Sequence, residues 1–338
     1  MDIVTHFALG VCTAEPFREK NQGKGILFLG AFAQCLPDGD TIAQVFLPAD
    51  RALMIHRGIT HSLFFALAGG WVLSLIVSRL RKDKSRPFLP LFLFVLSQLT
   101  LHDLLDVCNA YGTGLLEPFS HTRFSVNLLF VADPLFSLGL IVAALVLVIS
   151  SKSYSHRINW AWAALTFSCC YVAYAAVNKA ITDNRVSDML KSRQVNYRKY
   201  FTTPAPLNSM LWYIVIETDN YYYTGYSSVF DNSTRMIELE IHAKNYALLD
   251  SVRGKHSVQN LRNFGGGYYT ISGSPADPYI NILRFGQIQG WSKKDAPFVL
   301  SCPLVSNNFH LASLQKNRLA AWNPDAVKAY VRRIGGKQ

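Results

Sequence analysis

Charge is scarce in this chain. Asp, Glu, Lys and Arg make up 16% of its 338 residues, against about a quarter in an ordinary soluble domain, while hydrophobic residues make up 50%. The N-terminus, Met1-Asp2-Ile3-Val4-Thr5-His6, lacks the basic start and long apolar core of a secretory signal, so the chain is expected to enter a membrane through its own spans. Its six cysteines show neither a CxxC pair nor regular spacing. Only Cys302 falls beyond residue 180, which excludes a disulfide framework there, and several of the others read as small hydrophobes in apolar sequence. Gly265-Gly266-Gly267 has neither a following helix nor a Lys-Ser/Thr pair, so it is not read as a phosphate loop. Ser62 has no elbow-type glycine context, which leaves Ser/His/Asp nucleophilic chemistry without support. The sequence has no internal repeat.

Long apolar runs are what the chain does have. Four, at roughly 62–78, 88–107, 128–150 and 158–179, are long enough to cross a bilayer as helix. The stretch 26–36 is apolar but short and is stopped by Pro37-Asp38-Gly39-Asp40; a helix over 3–14 would be shorter still. The loop Arg79–Arg86 carries a net +4, and the loop between the last two spans holds Lys152 and Arg157, whereas 108–127 has only Arg123 and Glu117. Positive short loops stay cytoplasmic, so 79–86 and 151–157 are expected inside and 108–127 outside. Positive residues after the fourth span pull the other way, but long domains translocate largely regardless of charge.

Beyond about residue 200 the pattern changes. Leu211–Glu217 and Tyr221–Tyr226 flank Thr218-Asp219-Asn220 as a hairpin, and Met236–His242, Tyr268–Ser272, Tyr279–Phe285 and Phe298–Cys302 read as further short strands before a final helix at Pro324–Ile334. The expected architecture is an α-helical membrane domain over 1–180, with about four transmembrane helices and short N-terminal helices. A helical linker over 181–199 and a β-rich α+β soluble domain over 200–338 follow. Residues 181–338 hold 19 Lys/Arg against 11 Asp/Glu, so +8 of the formal +11 lies there. That excess is scattered, which reads as solvated surface; no nucleic acid is expected as a partner.

Polar residues gather at the ends of the apolar runs, where they are costly unless water, a partner or a metal satisfies them. His102 and Asp106 stand four apart, on one face of a helix, and Asp2 and His6 share that spacing. His56 and His61 are separated by Gly58 and read as a turn; Asp38 and Asp40 straddle Gly39. Taken singly, each has a bland explanation as an interfacial hydrogen-bonding group, turn residue or helix cap. Together, about seven metal-competent groups fall on one expected side of the membrane. Imidazole and carboxylate suit a borderline divalent cation, zinc first, with manganese or iron as alternatives.

This N-terminal half resembles the bacterial membrane-bound metal-dependent hydrolase family. The resemblance runs through Asp2-Ile3-Val4-Thr5-His6, Leu36-Pro37-Asp38-Gly39-Asp40, His56-Arg57-Gly58-Ile59-Thr60-His61-Ser62, His102-Asp103-Leu104-Leu105-Asp106, Asn109–Thr113 and Pro118-Phe119-Ser120. It covers roughly residues 1–145, with an echo at Pro204–Asn208 and Trp212. The family in turn is remotely similar to the zinc-dependent phospholipase C and single-strand nuclease superfamily. That resemblance implies His6, Asp40, His61, and His102 with Asp106 as metal ligands. It also departs from the superfamily: the start is Met1-Asp2 rather than tryptophan, and a second downstream His-x3-Asp pair is missing. One or two metals are therefore expected.

The expected ligand set is His6, Asp40, His56, His61, His102 and Asp106. A cation brings the pKa of bound water to about 7 and polarises a phosphoryl oxygen. Asp38 or Asp103 would position that water, and Arg57 or Arg123 would hold an anionic substrate. The reading is a hydrolase of a phosphoester or lipid-like ester in the bacterial inner membrane. Its partners are the bilayer and a small-molecule or lipid substrate, with the site and the C-terminal domain on the outer face. The runner-up is a non-enzymatic membrane protein whose His/Asp set binds metal structurally or passes ions or protons.

Overall fold

A computed structural model of the protein describes residues 1–19, 23–81, 87–232, 236–252, 256–304 and 322–337. Residues 82–86 of the basic loop, His310 and the side chain of His256 lie outside them. The chain divides into a helical unit, residues 1–41, 56–126 and 130–174, and a second unit, residues 42–55, 127–129 and 175–338.

The helical unit is built on α1 (Ile3–Ala14), α2 (Gly25–Cys35), α5 (Leu63–Leu80), α6 (Phe88–Val107), α7 (Pro134–Ile149) and the first half of α8 (Arg157–Ser192). By length and apolarity α5, α6 and α8 could each cross a membrane, whereas α1, α2 and α7 are shorter apolar helices. Polar side chains start these helices. Asp2 accepts the Thr5 N–H at 3.0 Å, Ser62 accepts that of Phe65 at 3.0 Å, and Asp133 accepts that of Leu135 at 3.0 Å. Each satisfies one of the orphan donors of a helix N-terminus. Asp133 also accepts the Tyr171 hydroxyl at 2.8 Å, tying α8 to the start of α7.

Helices α1 and α2 meet backbone to backbone. A Cβ on Gly10 would fall 2.5 Å from the Gly30 carbonyl oxygen, and one on Gly30 would fall 2.5 Å from that of Gly10. Close approach through small residues is how helices associate where lipid removes the hydrophobic drive. A buried polar ladder reinforces the contact: Thr13 donates to Gln98 Oε1 on α6 at 2.9 Å, and Gln34 donates to the same oxygen at 3.4 Å. At the far end of α1, Arg157 grips Glu15 bidentately, Nε to Oε1 and Nη2 to Oε2 both at 2.9 Å, with both residues buried.

The second unit contains two antiparallel sheets. One runs in the order β1 (Lys199–Pro204), β2 (Leu211–Glu217), β3 (Tyr221–Ser228), β4 (Leu239–Ala243); the other is β5 (Tyr269–Ser274), β6 (Asp277–Gln287), β7 (Phe298–Pro303). Strand β2 is buried along its whole length because both its faces are covered. Ile214 and Ile216 pack on Val186 and Leu190, one helical turn apart on the end of α8, while Tyr213 and Val215 face Leu283 of β6. The expected hairpin is present, with Tyr213 opposite Tyr226. Two short helices, α3 (Thr41–Gln44) and α4 (Ala49–Ile55), belong to this unit, where Asn260 of α9 (His256–Phe264) donates to Asp50 at 3.1 Å. The last helix, α10 (Pro324–Ile334), is held by Arg333, which pairs with Asp231 at 2.7 and 3.0 Å.

Candidate metal centre

Three segments converge at one end of the helical unit: a 3-10 turn over Pro37–Asp40, the turn 56–61, and the last turns of α6. On α6, His102 and Asp106 are both fully buried, on the face fixed by their four-residue spacing. Together with Asp38 and His61 they form a group whose four donor atoms all lie within 4.8 Å of one another. His61 Nε2 is 3.3 Å from Asp38 Oδ1 and 3.4 Å from Asp106 Oδ2; His102 Nε2 is 3.8 Å from each of the same oxygens.

Hydrogen bonds behind the rings aim them. His102 Nδ1 donates to the Gln34 carbonyl at 2.6 Å, and because a carbonyl can only accept, Nε2 is left with its lone pair toward the group. Neither His102 Nε2 nor Asp106 Oδ2 has an aligned hydrogen-bond partner, although both are buried. Asp106 Oδ2 still has the Arg57 guanidinium 2.9 Å away, but His102 Nε2 is a buried acceptor with no donor, which is costly unless a cation meets it. This Asp-His-His-Asp group could hold a metal ion.

The other sequence candidates surround this group. His6 stacks on His102 with ring centroids 3.8 Å apart, and reaches Asp106 Oδ1 and Gln34 Oε1, each at 3.3 Å. The Met1 amino group also donates to Asp106 Oδ1. Asp40 lies outside the four-residue group: it takes His56 Nδ1 on Oδ1 at 2.8 Å, and on Oδ2 the Thr60 hydroxyl at 2.7 Å and the Arg57 N–H at 3.1 Å. Asp38, read from the sequence as a water-positioning carboxylate, sits inside the group instead. Asp103 is buried beside it with Oδ1 unpartnered by any hydrogen bond among the described residues.

The two arginines bind the loops. Arg57 is buried in the left-handed backbone region, φ 59°, with Nε 2.9 Å from Asp106 Oδ2, Nη1 donating to Asn109 at 2.5 Å, and its guanidinium 4.8 Å over the Tyr111 ring. Arg123 donates to the His56 carbonyl at 3.0 Å and the Gly112 carbonyl at 3.2 Å. Sequence reasoning did not single out Gln34 and Thr60. Gln34 had a signal, an amide in an otherwise apolar run; Thr60 had none beyond its place next to His61.

Electrostatics follow from this packing. Burial alone would depress His61, but hydrogen bonds to Asp106 and Asp38 and the charges of Asp106 and Asp40 outweigh it and hold its pKa at about 8. Burial also opposes the Asp38 charge, yet the His61 hydrogen bond with the nearby His102 and His6 keeps that carboxyl well below the usual carboxylate range. For His56 burial wins over Asp40, so its pKa lies below the ordinary histidine value.

Fold and site together define a helical membrane protein with a buried Asp/His group able to hold a metal. More particularly, the chain belongs to the YdjM inner membrane protein family, whose model matches residues 1–182. It is 33% identical over 124 residues to the inner membrane protein YbcI of Escherichia coli (strain K12), covering 36% of this chain and 70% of that protein. It is 28% identical over 143 residues to the YfhP protein of Bacillus subtilis (strain 168), covering 40% of this chain and only 42% of that one. No solved structure matches it.

Proposed function

We propose that this chain is a membrane-bound metal-dependent hydrolase of an ester, a phosphoester first, in which Asp38, His61, His102 and Asp106 hold a divalent ion. The observation that carries the reading is the convergence of four buried donors, with the His102 Nε2 lone pair left unmet among them. Mixed imidazole and carboxylate donors favour zinc over harder cations, with manganese or iron next. When bound, such an ion supplies Lewis acidity and a water that ionises near neutral pH.

The chain's own groups would do the rest. Asp40 holds the Nδ1 proton of His56 and leaves Nε2 free to accept one, and the His56 side chain is 15% exposed where the four donors are closed off. His56 is thus the residue placed to take a proton from an incoming nucleophile and return it to a leaving group. Arg57 offsets the charge of Asp106 and fixes its orientation; its commitment to Asp106 and Asn109 makes it a positioning residue rather than a substrate clamp. We take α7, with 16 apolar-rich residues, as a fourth crossing beside α5, α6 and α8, and the short-loop charges then put the centre and the C-terminal domain on the outer face.

A second reading has one observation in its favour. Four protein donors can close a zinc site, and closed sites are structural. The Asp40–His56 pair beside the centre supports the catalytic reading, because a structural ion has no use for an oriented imidazole at its rim. Metal analysis of the purified protein, cobalt substitution to count coordinated waters, and a screen of phosphodiester and phospholipid substrates decide between them. A four-coordinate ion with no turnover on any ester would sink the hydrolase reading.

A further inference from the structure

The face of α5 that begins one turn after His61 carries an apolar trough. Phe64, Leu67, Ala68, Trp71 and Val72, with Phe92 of α6, line a shallow, open groove of about 410 Å³. The α5 residues recur at helical spacing and therefore lie on one side, over a length of about 12 Å at 1.5 Å per residue. Ala68, exposed and small, lies one helical turn from both Phe64 and Trp71. The six side chains offer carbon and a single indole N–H, so a head group or peptide placed there would lose its hydrogen bonds. A hydrocarbon would not.

We propose that this trough seats one acyl chain of a membrane lipid whose head group is the part acted on at the Asp/His centre, an inference that rests on the hydrolase reading above. Three observations choose that occupant. Helix α5 is long and apolar enough to cross a bilayer, and only 17% of its apolar window is buried by the rest of the chain, which leaves that face open to lipid. The apolar surface is continuous with the loops framing the centre. Ile59, two residues before His61, is 51% exposed, and Phe64 meets the 82% exposed Phe119 edge to face with ring centroids 6.0 Å apart. Finally, the trough does not suit another helix. Close helix packing in lipid needs small residues facing out. Here the bulky Phe64 and Trp71, each about half exposed, line the trough, while Gly70 faces Leu99 of α6 instead.

The test uses the full chain in phosphatidylethanolamine vesicles containing a minor fraction of phosphatidylglycerol with a photoactivatable diazirine in mid-chain. Labelling is mapped on the peptide 64–72 and compared with the exposed face of α7, Leu138, Val142 and Leu145. Preferential labelling of 64–72 is expected, reduced roughly tenfold by Ala68→Trp with bound metal unchanged, since losing burial of about two methylene groups is worth that much in occupancy. Should Ala68→Trp lose its metal, Trp71→Ala removes a wall instead and is expected to lower the same signal. Equal labelling of α5 and α7, insensitive to both variants, means annular lipid only and overturns the proposal; so does an α5-to-α5 cross-link between copies. Because labelling does not need turnover, a labelled trough in a protein that hydrolyses no ester would support the seat and defeat the hydrolase reading. Hydrolysis with an unlabelled trough would do the reverse.

Discussion

Asp40 and His56 are sixteen residues apart in the chain, yet the Asp40 carboxylate lies 2.8 Å from His56 Nδ1 and fixes which ring nitrogen faces outward. The intervening segment, 42–55, belongs to the other unit of the chain, so this hydrogen bond closes the helical unit where the chain leaves it and returns. His56→Gln keeps a polar side chain of similar reach but cannot accept a proton. Bound metal should stay near wild-type while turnover falls by about a hundredfold or more, the usual contribution of one general base. Loss of metal in proportion to activity would instead make His56 a ligand.

The four donors make the sharpest metal prediction. His61→Ala, His102→Ala, Asp38→Ala and Asp106→Ala should each lower the metal recovered with purified protein, whereas His121→Ala, whose side chain is 79% exposed, should not. Asp106→Ala should be the most damaging to the fold, because it also strands Arg57. Elemental analysis of the five proteins reads the result, and wild-type content in all four donor variants would remove the site.

Metal binding should also compete with protons. His61 holds its proton up to about 8 in the absence of metal, and only the neutral ring donates to a cation. Apparent affinity is therefore expected to be level above about 8 and to weaken by up to about tenfold for each pH unit below it. Calorimetric titration of metal-free protein between roughly pH 6 and 9 checks this. An affinity that does not change over that range would mean that His61 does not bind the ion.

Two buried arginines should separate stability from metal binding. Arg157→Met removes the bidentate partner of buried Glu15 and leaves it only Arg18, 2.9 Å from Oε1, so the loss should fall below about 3–5 kcal/mol, the cost of a fully broken buried pair. The melting temperature in detergent should drop while metal content holds, since Glu15 sits just past the far end of α1 from the centre. Arg57→Met removes the counter-charge of Asp106 and should lower both.

Orientation is tested separately. A reporter fused after Arg81 should behave as cytoplasmic and one after Gly114 as external. The reverse would move the centre to the cytoplasmic face without altering its chemistry.

Much of the scaffold was legible because its signals are one-dimensional. The runs at 62–78 and 88–107 correspond to α5 and α6 within a few residues, and the His102/Asp106 spacing on an apolar helix gave their shared face. The run at 158–179 became a helix of 36 residues because its polar continuation packs Val186 and Leu190 on β2, a contact that hydropathy does not encode. Which of Asp38 and Asp40 joins the four donors was not legible. The two straddle Gly39 in a 3-10 turn, and only the fold reveals that one points to His61 and His102 and the other to His56. Arg57 was hidden for the same reason: a buried guanidinium and one free to meet a substrate look identical in a sequence.

The contact between Gly10 and Gly30 has a consequence beyond helix association. His6 lies one helical turn from Gly10 and Gln34 one turn from Gly30, each toward the centre, and the two meet at 3.3 Å while the Gln34 carbonyl orients His102. The two glycines therefore act as a gauge block. The spacing of imidazoles around the candidate ion is calibrated at a point that carries no functional group, by the thickness of two bare backbones. A single methyl group at Gly30 would have to wedge the helices apart and shift His6 and the Gln34 carbonyl that aims His102, a full turn away, with every donor residue unchanged.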